Sequence, residues 1–387
     1  MILEGIRVVD VASHIFGPAA ATVMSDFGAD VIKIEPPRGD AHRRLAKNIP
    51  LPVCDIDYCW ELDNRNKRSV VLDLAQPEGR ENLYKLVRKA DVFVTNYLPA
   101  VLERLRLTYD HLGPLNSRLV YAHATGYGER SEERNKPGFD LTAYWGRSGL
   151  MECVRNGGMD PAMSVLGMGD HPSAMTLFGA IMLALYDRER TGRGGKVSSS
   201  LAANGAWTNS GLLQAEMCSA QFYPAKTRTT TYNPLINHYV TRDGKRILLC
   251  LLTADRDFVR LSHALGCPEL PEQTRFADAA SRMKHSAELV AILDELIGAR
   301  DLADWADTFA RHEVTWSLVQ TLKDVANDKQ LIENEIIVEF DHPRYGRMRT
   351  VNSPIFVHGV KKVAPRAAPE LGADTAAVLR ELEEGND

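Results

Sequence analysis

The order of short β-rich and helical segments in the first 200 residues constrains the fold of this 387-residue chain more than any other feature. The run "IRVVDV" (6–11) is typical of a strand, and "DVIKIE" (30–35) is typical of a second one. Between them a helical segment opens with Gly17 and Pro18, which suit a first helical turn, and closes at Gly28, which suits a C-cap. A β-α-β unit of this kind predicts a parallel sheet covered by helices, and therefore an α/β fold.

The same alternation continues to about residue 200. Strands are predicted over 68–74, 91–96 and 118–124, and helices over 77–89, 99–114 and 172–190. The glycine-rich stretch "TGRGGKVSSS" (191–200) follows the last of these helices, so we predict a helix C-cap and a loop there.

Near residue 225 the pattern changes. The residues from Arg242 to Lys245 join two β-like runs, and their Asp-Gly pair favours the tight turn of a hairpin. Helical patterns then fill 254–311, and short strands and a charged helix follow. The predicted domains are a large Rossmann-like first part (1–205), a linker (206–225), a small α+β domain (226–312) and a return to the large domain (316–387).

Composition narrows the function classes. A net charge of −5 gives no overall basic field for nucleic acid or anionic lipid. The six cysteines show no C-x-x-C pair, which predicts reduced thiols. The sequence contains no run of about 18 apolar residues, so it does not predict a membrane-spanning helix. These features favour a cytoplasmic enzyme with no membrane or nucleic-acid partner.

Most cofactor motifs are missing from the sequence. The turn "ASHIFGPAAA" lacks G-x-G-x-x-G, and neither a Walker-type loop nor G-x-S-x-G occurs. The sequence contains no H-x-x-x-H pair, so it does not predict a metal site. We therefore expect no permanently bound cofactor. His123, at the end of a predicted strand, is interpreted as a structural, hydrogen-bonded histidine.

One carboxylate stands in an unusual setting, in "LGMGDHPSAM" (166–175). If Asp170 or His171 caps a helix beginning at Pro172, backbone N–H groups and the helix dipole favour the ionised carboxylate. The glycines at 167 and 169 leave its approach bare, so a bulky partner could come close. Asp170 is thus either an ordinary N-cap or a nucleophile able to form covalent intermediates.

Seven motifs in order resemble the class III CoA-transferases, the formyl-CoA and carnitine CoA-transferase group. They are "LEGIRVVDVASHIFGPAAATVMSDFGADVIKIEPPRGD", "NRNKRSVVLDL", "ADVFVTNYLPAVLERLRL", "HATGYGE", "PGFDLTAYWGRSG", "GMGDHPSAM" and "ALYDRERTGRGGKV". The variant segments "DYCWELDNRNKRS", "PGFDLTAYWGRSG" and "YNPLINHYVTRDG" look most like the branch acting on 2-hydroxy acids such as phenyllactate or 2-hydroxyisocaproate.

The resemblance implies a mechanism and an assembly. Asp170 would be the nucleophile, passing through an aspartyl anhydride and an aspartyl-CoA thioester as CoA moves from an acyl-CoA donor to an acid. The homodimer would consist of two interlocked, ring-like chains, with acyl-CoA thioesters as substrates and no metal. By motif, the expected CoA-binding residues are His14, Ile15, Phe16, Arg38, Leu72, Asn96, Arg104, Gly138 and Phe139.

Several of these roles have structural competitors. Leu72 is also a natural core residue, Asn96 a natural turn former, and Arg104 an ordinary solvated charge. Pro36 and Pro37 replace arginines found in several family members, so phosphate contacts could shift to Arg38, Arg43 or Arg44. The segment "TRTTTYNPLINH" has none of the glycines that close over the aspartate in the family's best-studied member.

Two other functions share the fold. An α-methylacyl-CoA racemase needs a histidine base in a "GHD" motif, and here Phe139 occupies that position and cannot move a proton. An acyl-CoA sensor without catalysis is the other alternative. Phe139, Tyr144 and Trp145 could line a pocket for an apolar or aryl acid, although they lie on a predicted helix and core packing explains all three nearly as well.

Overall fold

The computed structural model describes residues 1–45 and 49–384, and it divides into two compact units. The first unit comprises Met1–Cys153, Met163–Ala220 and the chain from Leu331 onward. The second comprises Val154–Ala162 and Gln221–Gln330. Both ends of the chain therefore contribute to the first unit.

The first unit is built on a parallel sheet, which has six strands within the described residues. Their order is β3-β2-β1-β4-β5-β6. The strands are β1 (Arg7–Val11), β2 (Asp30–Glu35), β3 (Arg68–Val71), β4 (Val92–Thr95), β5 (Val120–Thr125) and β6 (Gly195–Ser200). This is the order of a Rossmann-type sheet, and it confirms the predicted α/β class.

Helices cover both faces of this sheet. They are α1 (Phe16–Asp26), α2 (Tyr58–Asn64), α3 (Pro77–Arg88), α4 (Pro99–Leu105), α5 (Tyr109–Leu112), α6 (Leu150–Cys153), α7 (Asp170–Thr191), α8 (Leu201–Thr208) and α9 (Ser210–Met217). Val8 packs with α1 and α7 on one face, whereas Val9 packs with α3 on the other. Successive strand residues point to opposite faces, so adjacent apolar residues such as Val8 and Val9 serve both.

The structure corrects three predicted segments of the first unit. The supposed loop 191–200 contains β6, which pairs in parallel with β5 from Val120↔Gly195 to Thr125↔Ser200. This polar segment can form the edge strand because its backbone groups pair with those of β5, and such pairing does not require apolar side chains. The predicted helix 99–114 is interrupted after α4 by Arg106 in a left-handed conformation (φ 57°). The supposed linker 206–225 begins with the end of α8 and all of α9.

The second unit has an antiparallel sheet in the order β7-β8-β9. Its strands are β7 (Ile236–Val240), β8 (Arg246–Cys250) and β9 (Trp316–Leu318), and its helices are α10 (Ala254–Leu265), α11 (Ala279–Lys284), α12 (Ser286–Gly298), α13 (Leu302–Arg311) and α14 (Leu322–Val325). The predicted hairpin is confirmed by the β7–β8 pairing. The predicted return at residue 316 is too early, because Trp316 pairs with Leu249 of β8 and packs on this unit's core.

After α15 (Lys329–Glu333), the chain rejoins the first unit. It forms the hairpin of β10 (Ile337–His342) and β11 (Gly346–Val351), and it ends in α16 (Thr375–Glu384). Val378 and Leu382 of α16 are buried in the core beside β3, and Asp374 accepts a hydrogen bond from the Ser69 backbone N–H at 2.8 Å. Among the residues described, no helix combines the length and apolarity needed to cross a membrane.

Candidate active site

The loops that follow β1 and β4 lie side by side, because these strands are neighbours and the strand order reverses between them. In open α/β sheets, ligands bind in the crevice at such a reversal, outside the carboxyl ends of the strands. The side chain of Asn96 joins the two loops. Its Oδ1 accepts a hydrogen bond from the Ser13 backbone N–H at 2.9 Å, and its Nδ2 donates to the Ser13 carbonyl at 2.7 Å.

A small pocket of about 70 Å³ lies at this crevice. His14, in a left-handed conformation (φ 63°), places its ring edge-on to Phe139 with centroids 5.8 Å apart. The lining residues are His14, Ile15, Phe16, Asn96, Ala124, Thr125, Gly126, Gly138, Phe139, Asp170 and Leu201. The structure therefore brings six of the nine expected CoA-binding residues together with Asp170.

Two glycines allow the backbone to close one wall of the pocket. A Cβ on Gly126 would lie 3.0 Å from the Gly138 Cα, and a Cβ on Gly138 would lie 2.8 Å from the Tyr127 ring. Neither site has room for a side chain, so the segment after β5 and the segment before Phe139 meet backbone to backbone.

Asp170 is the first residue of α7, not its cap. Gly169 is the N-cap residue, and no side chain makes a capping hydrogen bond there. The helix therefore begins two residues before the predicted Pro172, and the N-cap interpretation of Asp170 is wrong. A carboxylate in the first turn still lies close to the positive end of the helix dipole.

The surroundings of Asp170 oppose its ionisation. Burial, followed by the nearby carboxylate of Asp140, raises its pKa to about 7, and the charge of His171 acts in the opposite direction. The expectation that the helix start would hold this carboxylate ionised is therefore wrong for acidic solutions. Desolvation penalises the charged form more strongly than a helix terminus favours it.

The glycines beside Asp170 have a different purpose from the predicted one. Gly167 has φ +75°, and a Cβ there would lie 2.7 Å from Nδ1 of His171. A Cβ on Gly169 would lie 2.5 Å from the Tyr144 ring. These positions are glycine because the protein's own side chains pack against them, and not because they leave an open approach for a ligand.

Comparison with known proteins identifies the family. Residues 3–375 match the family described as CoA-transferase family III. The chain belongs to CoA-transferase family III. The resemblance carried by the seven motifs is thereby confirmed, and the chain is a CoA-transferase.

Curated relatives of this CoA-transferase extend over nearly its whole length. It is 30% identical to (R)-2-hydroxy-4-methylpentanoate CoA-transferase of Clostridioides difficile, covering 99% of this chain and 96% of the relative. It is 29% identical to cinnamoyl-CoA:phenyllactate CoA-transferase of Clostridium sporogenes, with coverages of 98% and 93%. A CAIB/BAIF family protein from Brucella suis has a similar solved structure, with a TM-score of 0.85 at 26% identity over 98% of this chain and 99% of that one.

Three residues expected to bind CoA lie outside the pocket. Arg38 and Arg104 are exposed, whereas Leu72 is buried in the core. Arg44 is also exposed and donates to the Arg38 carbonyl at 3.1 Å. Arg43 pairs with the buried Glu35 at 2.7 Å, so this arginine is already engaged.

The predicted aromatic pocket is only partly present in the CoA-transferase. Phe139 is 59% exposed and lines the pocket, but Tyr144 and Trp145 are each 4% exposed. Both belong to a short π-helix, Asp140–Gly146, and the Tyr144 hydroxyl is 2.8 Å from the Thr208 hydroxyl. Core packing is therefore the correct interpretation of these two rings.

His123 is confirmed as a structural residue. It is 2% exposed, and its Nδ1 and Nε2 lie 2.6 Å from Glu129 Oε1 and 2.9 Å from the Tyr97 carbonyl. Across the described parts of the chain, no group of three or more histidine, cysteine, aspartate or glutamate side chains is arranged to hold a metal ion.

A buried ionic network beneath the His14 loop was missed by sequence reasoning. Asp10 lies 2.9 Å from Lys67 Nζ and 3.8 Å from Lys33 Nζ, and Lys33 also lies 3.0 Å from Asp40. Asp40 accepts from the His14 backbone N–H at 3.4 Å. The signal in the sequence is a charged residue inside an apolar strand, Asp10 in "RVVDV" and Lys33 in "DVIKIE".

A second missed network lies beside Asp170. Asp63 of α2 is 3% exposed. Its Oδ1 lies 3.0 Å from His171 Nε2, and its Oδ2 lies 3.3 Å from His42 Nε2. No sequence pattern predicts the cluster of Asp63, His171 and His42, because these residues come from segments up to 129 residues apart.

Proposed function

We propose that this CoA-transferase moves CoA from an acyl-CoA donor to a carboxylic acid, with Asp170 as the covalent nucleophile. The observation that carries the proposal is that Asp170 is the only acidic side chain lining the pocket, among the described residues, and shares it with six residues expected to bind CoA. The geometry therefore supports a thioester carbonyl reaching this carboxylate.

The reaction divides into four carbonyl attacks. Asp170 attacks the donor thioester, forming an acyl-aspartyl anhydride and releasing CoA thiolate. The thiolate attacks the aspartyl carbonyl, which gives an aspartyl-CoA thioester and the free donor acid. The acceptor carboxylate then attacks that thioester, releasing the thiolate again. In the last step the thiolate attacks the acceptor's acyl carbonyl, which forms the new acyl-CoA and regenerates Asp170.

The oxyanions formed in these steps need hydrogen-bond donors. The backbone N–H groups of Gly169 and Asp170 are the proposed donors, because the His171 N–H already donates to the Gly167 carbonyl and Pro172 has no N–H. Arg38 and Arg104 are proposed to meet the CoA phosphates, since both are exposed and permanently charged. Leu72, His14 and Asn96 keep their proposed CoA-binding roles.

The proposed acceptor is a 2-hydroxy, aryl or branched-chain acid. Two relatives named for 4-methylpentanoate and phenyllactate substrates support this choice. The exposed ring of Phe139 is an apolar surface at the pocket, suitable for such a side chain. A phenylalanine at position 139 also disfavours the racemase alternative, because phenylalanine cannot act as the second base.

We also propose that two chains assemble as an interlocked homodimer. The support is the exposure of four large apolar side chains on α7, α8 and α9, namely Leu183, Tyr186, Trp207 and Met217, which are together called the apolar face. Trp207 is 80% exposed. Large exposed apolar surface on a monomer is typical of a protein–protein interaction site.

The nucleophile is tested with Asp170→Ala and Asp170→Asn, using Asp187→Asn on the exposed side of the same helix as the matched control. We expect both Asp170 variants to fold and bind CoA while losing transfer by at least about a thousandfold. The Asp187 variant should transfer at the wild-type rate. The measurement is formation of a new acyl-CoA from a panel of acceptor acids.

A trapping experiment gives a second readout. Hydroxylamine or borohydride added during turnover should leave a modification on the peptide spanning 156–188, found by mass spectrometry. Wild-type turnover in Asp170→Ala would refute the proposal. Exchange of an α-deuteron without new thioester would indicate the racemase, and CoA binding without turnover would indicate the sensor.

A further inference from the structure

We propose that Asp63 is a positioning residue for CoA transfer, acting through His171 on the orientation and ionisation of Asp170. The inference rests on the proposed nucleophilic role of Asp170. Asp63 has no part in the pocket lining, so its influence passes through its hydrogen bond to the neighbouring histidine.

The first argument is geometric. Asp63 is anchored on α2 by two histidines, and its own carbonyl accepts a hydrogen bond from the Thr22 hydroxyl of α1 at 2.5 Å. Its carboxylate has acceptors only, so Nε2 of His171 must carry the proton in their 3.0 Å contact. The orientation of the His171 ring is thereby fixed by Asp63 through Nε2.

The fixed ring in turn holds the turn before α7. It packs on the bare face of Gly167, whose Cβ position lies 2.7 Å from Nδ1. The Gly167 backbone N–H donates to Asp140 Oδ2 at 3.0 Å, and the His171 backbone N–H donates to the Gly167 carbonyl at 3.1 Å. The turn that presents Asp170 is therefore held between Asp140 and the ring that Asp63 orients.

The second argument is electrostatic. Although burial disfavours its charge, Asp63 is held ionised, because hydrogen bonds from His171 and His42 keep its pKa well below the usual range. Burial also works against a charge on His171, but the hydrogen bond and charge of Asp63 raise the pKa of this histidine above its ordinary value. The charged form of His171, next to Asp170 in the chain, is thus favoured.

The charged groups around Asp170 act in both directions. Asp140 and Asp63 disfavour a negative charge on it, whereas His171 and His42 favour one, and His171 acts more strongly than Asp63. His14 also lines the pocket, and burial lowers its pKa, which disfavours a positive charge on this ring.

His171 also lines a second pocket, which is apolar and has a volume of about 500 Å³. Among the described residues lining that pocket, the charged groups besides His171 are Asp63 and Arg65. Arg65 is paired with Asp26 at 2.6 Å and so does not take Asp63 away from His171. The pair of Asp63 and His171 is therefore the route by which α2 influences the nucleophile.

The test compares Asp63→Asn with Asp26→Asn. Both substitutions remove one buried, ion-paired carboxylate near α2, but only the first touches His171. The readouts are kcat/KM against pH, KM for the acyl-CoA, and CoA affinity. Without the charge of Asp63, His171 loses its proton more readily and Asp170 is harder to ionise.

For Asp63→Asn we expect the acidic limb of kcat/KM, near pH 7 in the wild type, to move up by about one pH unit, which is about tenfold less activity on that limb. CoA affinity should stay within about twofold, because Asp63 does not line the pocket that contains Asp170 and the expected CoA-binding residues. Asp26→Asn should lose stability and keep the wild-type limb. His171→Gln, which retains a hydrogen-bond donor without the charge, should move the limb in the same direction and further, because the negative charge of Asp63 remains near Asp170.

An unmoved limb in a folded Asp63→Asn would overturn the inference and leave Asp63 with a purely structural role. If Asp63→Asn does not fold, His171→Gln decides the outcome alone. The underlying function fails separately, by retention of transfer in Asp170→Asn, so the two failures cannot be confused.

Discussion

Asp170 experiences opposing influences at the start of α7. The helix dipole and His171 favour its charge, while burial and Asp140 disfavour it, and the balance leaves its pKa at about 7. A carboxylate with this pKa is ionised in a large part of the molecules at neutral pH. It is also less strongly solvated than one in water, which suits attack on a thioester.

The raised pKa predicts a pH-dependent stability difference between the wild type and Asp170→Asn. Below about pH 4 the folded and unfolded wild type both keep the proton on Asp170, so this residue contributes no difference. Between pH 4 and 7 the unfolded chain releases the proton and the folded chain retains it. The wild type therefore loses stability relative to the variant as the pH rises through this range.

We expect Asp170→Asn to be more stable than the wild type by on the order of 1–3 kcal/mol above pH 7, with little difference at pH 4. Urea unfolding at pH 4, 5.5, 7 and 8 measures it, and Asp187→Asn, which alters an exposed carboxylate, is the control. A constant difference across these pH values would contradict the assigned environment of Asp170.

At the scale of elements, α7 depends on glycine where it begins but not in its interior. Gly169 faces the Tyr144 ring, whereas a Cβ on Gly179 would meet no atom within 4 Å. The start of the helix is therefore fixed by packing against the π-helix, and this contact sets where Asp170 lies.

Alanine at these two positions should have opposite effects. Gly179→Ala should stabilise the protein by about 0.5–1 kcal/mol, because alanine loses less backbone entropy in a helix. Gly169→Ala should destabilise it by about 1–3 kcal/mol through overpacking against Tyr144, and it should lower kcat because Asp170 shifts. Thermal unfolding and steady-state kinetics measure both effects. Equal effects of the two substitutions would rule out the proposed fixation of the helix start.

At the scale of the whole molecule, the strand order creates the site. The reversal between β1 and β4 brings the loops at His14 and Asn96 together, although the sequence separates them by about 80 residues. The exposed apolar face on α7, α8 and α9 is the other large-scale feature, and it carries the proposed dimer.

The wild-type chain should have twice the monomer mass of 43.0 kDa in light scattering after size exclusion. Trp207→Asp, with Met217→Asp as a second variant, should lower the fraction of dimer recovered after refolding, since each places a charge on the apolar face and interlocked chains must assemble as they fold. Val53→Asp alters an exposed apolar residue outside that face and serves as the control. A monomeric wild-type chain would refute the proposed homodimer.

Much of the fold could be predicted from the sequence, but not all of it. Periodicity located β1, α1 and β2 within a residue or so, because their apolar patterns are complete within each segment. The polar strand β6 was missed, since its place in the sheet depends on the free edge of β5. The strand at Trp316 was assigned to the wrong unit, because pairing partners cannot be recognised from a three-residue strand.

By itself, the sequence determined the α/β class, the family and the candidacy of Asp170, because these depend on local patterns and ordered motifs. Only the tertiary structure decided the environment of that carboxylate. Burial, Asp140, and the pair of Asp63 and His171 set its ionisation, and these groups are distant in the chain. The reason is physical: desolvation and charge interactions depend on distances in space, which a linear pattern does not contain.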